Sequence, residues 1–236
     1  MATPILEVNN LVAGYRDAVV LQDVSLQLDE DGKLAILGRN GVGKTTLLLA
    51  IMGLADIKGG SIIYRGQDIT RWPAHRRALA GLGWVPQERE IFPTLTVEEN
   101  LVTTSRPGRW DLKSVYELFP RLLERRVNKG NQLSGGEQQM LAFGRTLMTN
   151  PTVLLLDEPL EGLAPVIVEE LTAAIARMMQ AGGMGLVLVE QHTDIALEMT
   201  EKAIVIERGR VAYEAGSLEL SRDQAALDRY VGLAIE

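Results

Sequence analysis

Several short stretches of this chain combine residue types that can do chemistry together. Gly38–Thr46 places Gly38, Gly43, Lys44 and Thr45 in the spacing G-x-x-x-x-G-K-[ST]. Glycines let the backbone approach an anion closely and take conformations other residues avoid, so successive N–H groups converge as a nest. A helix starting near Gly43 adds its free N–H groups and the positive end of its dipole. Lys44 would then reach the β- and γ-phosphates of a triphosphate, and the Thr45 hydroxyl would ligate Mg²⁺. Asn40, Gly41 and Thr46 complete the loop. The plain alternative is a glycine turn between a strand and a helix.

Asp157 and Glu158 end the apolar run Val153–Leu156. Consecutive carboxylates at the end of a buried strand are unfavourable without partners. Mg²⁺ would supply one through Asp157, leaving Glu158 beside the γ-phosphate to accept a proton from an attacking water. Ser134-Gly135-Gly136-Glu137 has the form of a capping box, which by itself marks only a helix start. Yet glycines in a first helical turn each cost about 1 kcal/mol relative to alanine. That cost makes sense where an anion must come close to the N–H groups. His192 follows the apolar run Gly185–Val189; a lone histidine is often structural, but ligands of open α/β sheets bind past strand ends. Tyr15 reads first as a half-buried strand tyrosine and, second, as a flat face for adenine.

The elements needed to hold these residues are legible as patterns. Lys33–Leu37 suits a buried strand before the glycine loop, and Leu47–Met52 an apolar helix ending at Gly53. Val24, Leu26 and Leu28 alternate with polar residues, as in a half-buried antiparallel strand. Ser61–Tyr64 reads as one arm of a hairpin turning at Arg65-Gly66, and Leu82–Val85 as a strand closed by Pro86-Gln87. From residue 88 to 150 the pattern is helical, with a second capping box at Thr96–Glu99 and a break expected at Pro120. Pro165 opens an amphipathic helix ending at Gly182-Gly183. Ala203–Glu214 reads as a hairpin around Arg208-Gly209, and Ser221 as the cap of a terminal helix. His75 reads as a solvated surface histidine.

The totals bound the class. A chain of 236 residues supports one substantial core. It has no run of apolar residues long enough to span a bilayer, and Met1–Ile5 shows no signal-peptide pattern. With no cysteine, disulfides and thiolate metal sites are excluded. A net charge of −7 argues against strong non-specific nucleic-acid binding. The expected baseline is a soluble cytoplasmic α/β protein.

In their order along the chain, Gly38–Thr45, Gln87, Leu133–Gln139, Asp157-Glu158 and His192 resemble the ATP-binding-cassette (ABC) ATPases, over essentially the whole length. The resemblance implies an α/β fold: a P-loop NTPase (RecA-like) core with an N-terminal antiparallel β subdomain and an inserted α-helical signature subdomain. It implies a single domain over 1–236, with 1–87 and 151–236 as catalytic core and β subdomain and 88–150 as helical subdomain. It implies two cassettes head to tail with ATP between them. Ser134, Gly135 and Gly136 of one chain would close on the γ-phosphate held by the other, which would account for the glycines. Tyr15 matches the adenine-stacking aromatic, and Gln87 the glutamine that senses Mg²⁺ and the attacking water. Glu158 matches the general base and His192 the switch histidine at the γ-phosphate.

More narrowly, Gly38–Gly43, Arg89–Asn100, Glu158–Pro165 and Leu188–Gln191 resemble ATPase subunits of branched-chain and hydrophobic amino-acid importers, and their urea and amide relatives. Arg39 stands where proline is usual and Ala164 where aspartate is usual, and both departures are at home in that subgroup. Members there often lack a histidine at the position assigned to His192. The resemblance implies transmembrane permease subunits as partners, with Ile91 and Phe92 as an apolar groove wall for one of their helices. It also implies a second ABC ATPase subunit, in a mixed or an identical pair, and indirectly a periplasmic solute-binding protein. The place of work would be the cytoplasmic face of the inner membrane, held peripherally. Lipid or lipopolysaccharide export uses the same catalytic parts. A soluble cassette ATPase working on DNA or ribosomes is disfavoured by the acidic charge and by the lack of a second cassette, coiled-coil insertion or zinc cysteines.

Overall fold

The computed structural model describes residues 4–230 and Gly232. Met1–Thr3, part of the stretch read for a signal peptide, lie outside the described residues. Strands β1 (Leu6–Tyr15), β2 (Ala18–Leu28), β4 (Asp56–Tyr64) and β5 (Gln67–Asp68) form an antiparallel sheet in the order β2-β1-β4-β5. Its alternation is the one expected: Val24, Leu26 and Leu28 turn inward and are buried. The expected hairpin arm at Ser61–Tyr64 extends back to Asp56, because β4 pairs with β1 from Leu6↔Tyr64 to Gly14↔Asp56.

The second sheet holds β3 (Lys33–Leu37), β6 (Leu82–Val85), β7 (Val153–Asp157), β8 (Gly185–Val189), β9 (Lys202–Glu207) and β10 (Arg210–Gly216), in the order β10-β9-β3-β8-β7-β6. All of its pairings are parallel except that of β9 with β10. Its central strands are apolar almost throughout because both faces are covered. Alternate residues of β3 show this: Leu34 and Ile36 join one core with the antiparallel sheet, whereas Ala35 and Leu37 join another with the helices.

Helix α1 (Lys44–Met52) leaves β3 through the glycine loop. Helix α2 (Ala74–Ala80) carries the buried Arg77, whose guanidinium donates to the Ala50 and Ile51 carbonyls at 2.8 Å and to Thr70 and Trp72. Arg77 thereby satisfies carbonyls at the far end of α1, an anchoring role that its sequence context beside His75 and Arg76 does not reveal. Between β6 and β7 lie α3 (Val97–Val102), α4 (Leu112–Leu118), α5 (Pro120–Glu124) and α6 (Gly135–Leu147), with the expected break at Pro120. Helix α7 (Pro165–Gln180) packs Ile167, Leu171, Ala174, Ile175 and Met178 inward. Helix α8 (Thr193–Met199) follows β8, and α9 (Ser217–Leu220) and α10 (Gln224–Tyr230) close the described chain. Ser221 ends α9; it does not cap the terminal helix, where the Asp223 carboxylate instead accepts from Ala226 N–H at 2.9 Å. Among the described residues, no helix is long and apolar enough to cross a membrane.

Candidate active site

Strand register brings the reactive residues to one edge. Ile36 pairs with Val189 and Asp157 pairs with Val189, so β3, β7 and β8 finish level with one another. The glycine loop, Glu158 and Glu190 therefore emerge side by side at the carboxyl edge of the parallel sheet, where open α/β folds bind ligands. Gly38, Gly41 and Gly43 have φ of 139°, 78° and 114°, conformations that a side chain disfavours. Space is the second constraint: a Cβ on Gly38 would lie 2.4 Å from the Ile206 carbonyl oxygen.

Lys44 is buried. Its Nζ donates to the carbonyls of Gly38 (2.8 Å) and Arg39 (3.2 Å) and lies 3.3 Å from Glu158 Oε1, in a pair that is itself buried. The lysine charge thus stands at the loop's centre, between its backbone and Glu158. Glu158 has φ of 46°, which is strained for a side-chain-bearing residue. That turn swings its carboxylate from the strand end toward Lys44. Thr45 Oγ1 donates to Asp157 Oδ1 at 3.2 Å, while Asp157 Oδ2 is buried without a partner among the protein's own atoms. Burial, reinforced by the Glu158 charge, pushes the Asp157 carboxyl up to about 6. A buried acid with an orphaned oxygen beside a threonine hydroxyl fits Mg²⁺, which is held by one or two protein oxygens plus phosphates and water rather than by a protein cage. Consistently, no cluster of histidine, aspartate and glutamate among the described residues could hold a metal unaided.

Gln87 is exposed at the end of β6, and its amide donates to Glu161 Oε2 in the loop after Glu158. Gln87, Glu158, Glu161 and Gln191 line one cavity, of about 450 Å³, with Asn40, Gly41 and Gly43–Thr46. Tyr15 stands at the end of β1 with 43% of its surface exposed and its hydroxyl 3.5 Å from Thr46 Oγ1.

The residue that meets Glu158 past β8 is Gln191, not His192. Gln191 Nε2 donates to Glu158 Oε2 at 2.6 Å. His192 is exposed, stands at the N-cap of α8, and its ring has no hydrogen-bond partner among the described residues. It lines a neighbouring cavity with Gly38–Asn40 and Glu158, so it borders the site without holding the base. Sequence reasoning missed Gln191; the signal that could have found it lay in the strand's end point, because Gln191 is nearer than His192 to the end of β8.

Ser134, Gly135 and Gly136 line neither of these cavities. The capping box is present: the Ser134 side chain accepts from Glu137 N–H, and Glu137 accepts from Ser134 N–H at 2.8 Å. Part of the glycine requirement is local. A Cβ on Gly136 would lie 2.8 Å from Ile167 Cγ2 of α7, so packing within the chain excludes a side chain there. At Gly135 a Cβ would meet only the Arg89 guanidinium, at 3.1 Å.

Comparison with known proteins agrees with this geometry. The ABC transporter family model matches residues 21–161. The chain is 37% identical to the high-affinity branched-chain amino acid transport ATP-binding protein BraG of Pseudomonas aeruginosa, over 92% of this chain and 95% of the relative. It is 35% identical to the probable branched-chain amino acid transport ATP-binding protein LivF of Archaeoglobus fulgidus (92% and 94%). It is 32% identical to the lipopolysaccharide export system ATP-binding protein LptB of Haemophilus influenzae (97% of each). Among solved structures, an ATP-binding cassette from an ABC transporter superposes with a TM-score of 0.83 at 24% identity, covering 99% of this chain and 100% of the other. An ATP-binding subunit of an ABC transporter gives 0.80 at 26% identity, covering 94% of each. The chain belongs to the ABC transporter family, as an ATPase subunit of a transporter.

Proposed function

We propose that this chain hydrolyses ATP to power a membrane importer of branched-chain or other hydrophobic amino acids. The observation that carries the catalytic part is the meeting of Lys44 and Gln191 on the two oxygens of the strained, buried Glu158, next to the glycine loop. The backbone N–H groups of the loop and the first turn of α1 bind the phosphates, and Lys44 turns its charge toward them. Thr45 and Asp157, with Gln87 lining the same cavity as Thr45, would hold Mg²⁺, which would neutralise charge on the phosphate oxygens. Glu158 takes the proton of the attacking water, and Gln191 fixes the direction of its carboxylate. Tyr15 stacks on adenine. Ser134, Gly135 and Gly136 complete the site on a second cassette, the two chains lying head to tail.

Amino-acid import rests on the greater identity to BraG and LivF and on the stretches Arg89–Asn100 and Glu158–Pro165. Lipopolysaccharide export is a second reading, favoured by the full-length similarity to LptB. Either role places the chain on the cytoplasmic face of the inner membrane with permease subunits and a second cassette; import adds a periplasmic solute-binding protein. Replacing Glu158 with Gln should lower ATP turnover about a thousandfold while ATP is still bound, measured as phosphate release against nucleotide affinity. Undiminished turnover would refute the mechanism. Uptake of labelled leucine into cells, lost on deleting the gene, separates import from export.

A further inference from the structure

Glu190 is buried and takes no part in the chemistry described so far, yet it touches both the loop that carries the base and the glutamine that meets it. Its Oε1 accepts from Leu160 N–H at 3.0 Å, and its Oε2 accepts from Gln191 N–H at 3.1 Å. Leu160 is itself buried, two residues past Glu158 in the loop that continues to Ala164. Glu158 N–H donates to the Val189 carbonyl at 2.9 Å. The strained turn at Glu158 is therefore pinned on both sides to the end of β8, once by backbone and once by the Glu190 side chain. The same side chain orients the backbone of Gln191, whose amide holds Glu158 Oε2. We propose that Glu190 is a positioning residue for ATP hydrolysis, clamping the loop that carries the base and the glutamine that orients it into one rigid unit.

The proposal rests on the ATPase reading and extends it. A plain structural cap would be cheaper to build from a neutral side chain, because burial opposes the charged form of this carboxylate and pushes its pKa up even against the Leu160 and Gln191 N–H groups. A carboxylate brings two equivalent acceptor oxygens, and here each serves a different segment. Glutamine in its place would keep the shape but offer one acceptor, turning an NH₂ group toward one of the two N–H donors. One segment would then come loose, and a small misplacement of a base is costly to the chemical step.

Glu190→Gln in the full chain should lower kcat about tenfold while the KM for ATP and nucleotide affinity stay within twofold of the parent. Because both residues act through Glu158, a Glu190→Gln, Gln191→Ala double variant should be no slower than the slower single variant. Unchanged kcat, multiplicative slowing in the double variant, or an equal loss of kcat and nucleotide affinity would overturn the proposal. Amide hydrogen exchange on the parent chain tests it without any variant: Leu160 and Gln191 N–H should exchange far more slowly than that of Gly162. Fast exchange at either would overturn the clamp even if both variants fail to fold. Slow exchange at both amides with no ATP turnover by the chain assembled with its second cassette would instead refute the ATPase reading and leave the clamp standing.

Discussion

The sheet edge around the glycine loop and the start of α6, the two regions that the proposed function brings to the phosphates of ATP, are built in opposite ways. At the sheet edge, charges are buried and mutually dependent: Lys44 pairs with Glu158, Asp157 carries an orphaned oxygen, and the backbone at Glu158 is strained. At the start of α6 the capping box is complete, Ser134 is exposed, and no strain is recorded at Ser134, Gly135 or Gly136. Buried, partly satisfied polar groups are costly and persist where function needs them. A satisfied helix start costs little and can wait for a partner. The difference teaches that the first region carries the marks of a site within this chain, whereas the second, beyond its packing on Ile167, carries none and takes a site role only under the proposed pairing with a second cassette.

The largest test of that contrast is Ser134→Arg. It should lower ATP turnover of the cassette pair at least about a hundredfold, since a bulky side chain blocks the approach to the partner's phosphates. ATP affinity of the single chain should be unchanged, because Ser134 lines no cavity with the glycine loop. Full turnover in the pair would break the shared-site reading.

Asp157→Asn probes the buried edge. The folded pKa of Asp157 is raised to about 6 from an ordinary 3.8, so the folded chain binds this proton more tightly than the unfolded one. Its contribution to stability is fully present below about pH 4 and is lost as pH rises through about 6. In metal-free buffer at pH 8, Asp157→Asn should therefore stabilise the chain by about 1–3 kcal/mol, and at pH 4 the gain should vanish. A thermal melt at each pH checks this. An equal effect at both would mean that burial of the charge is not what strains this edge.

Gly136→Ala and Gly135→Ala separate the local from the shared reason for glycine at α6. At Gly136 a methyl group meets branched Ile167 on α7, and overpacking costs about 1–3 kcal/mol. Ile167→Ala should recover much of that loss. At Gly135 a methyl group meets only the flexible end of Arg89, so helix propensity should leave stability unchanged or raised by about 0.5–1 kcal/mol. Turnover should nevertheless fall at Gly135, if that N–H faces a partner's phosphate. Denaturant melts and phosphate release on the same two variants decide it.

Much of the site is legible in sequence because its parts are local. The loop Gly38–Thr46, the acids closing the run Val153–Leu156 and the capping boxes at Thr96 and Ser134 depend only on near neighbours, and the structure has each where its pattern lies. What stayed hidden depends on distant contacts. Arg77 reaches α1 carbonyls more than two dozen residues away, and Gly136 answers to Ile167. Glu190 and Gln191 gain meaning only from strand register, since a shift of one residue past a strand end turns a different side chain toward the neighbouring strand.

That last point gives the smallest and sharpest prediction. The resemblance places His192 at the γ-phosphate, whereas the side chain that meets Glu158 past β8 is that of Gln191. If the geometry governs, His192→Ala should change kcat by less than about threefold, because the ring holds no hydrogen bond and only borders the cavity. Gln191→Ala should cost about tenfold, the price of freeing a carboxylate that must point at one water. A larger loss of kcat in His192→Ala than in Gln191→Ala would show that the histidine, and not the glutamine, bears on the chemical step.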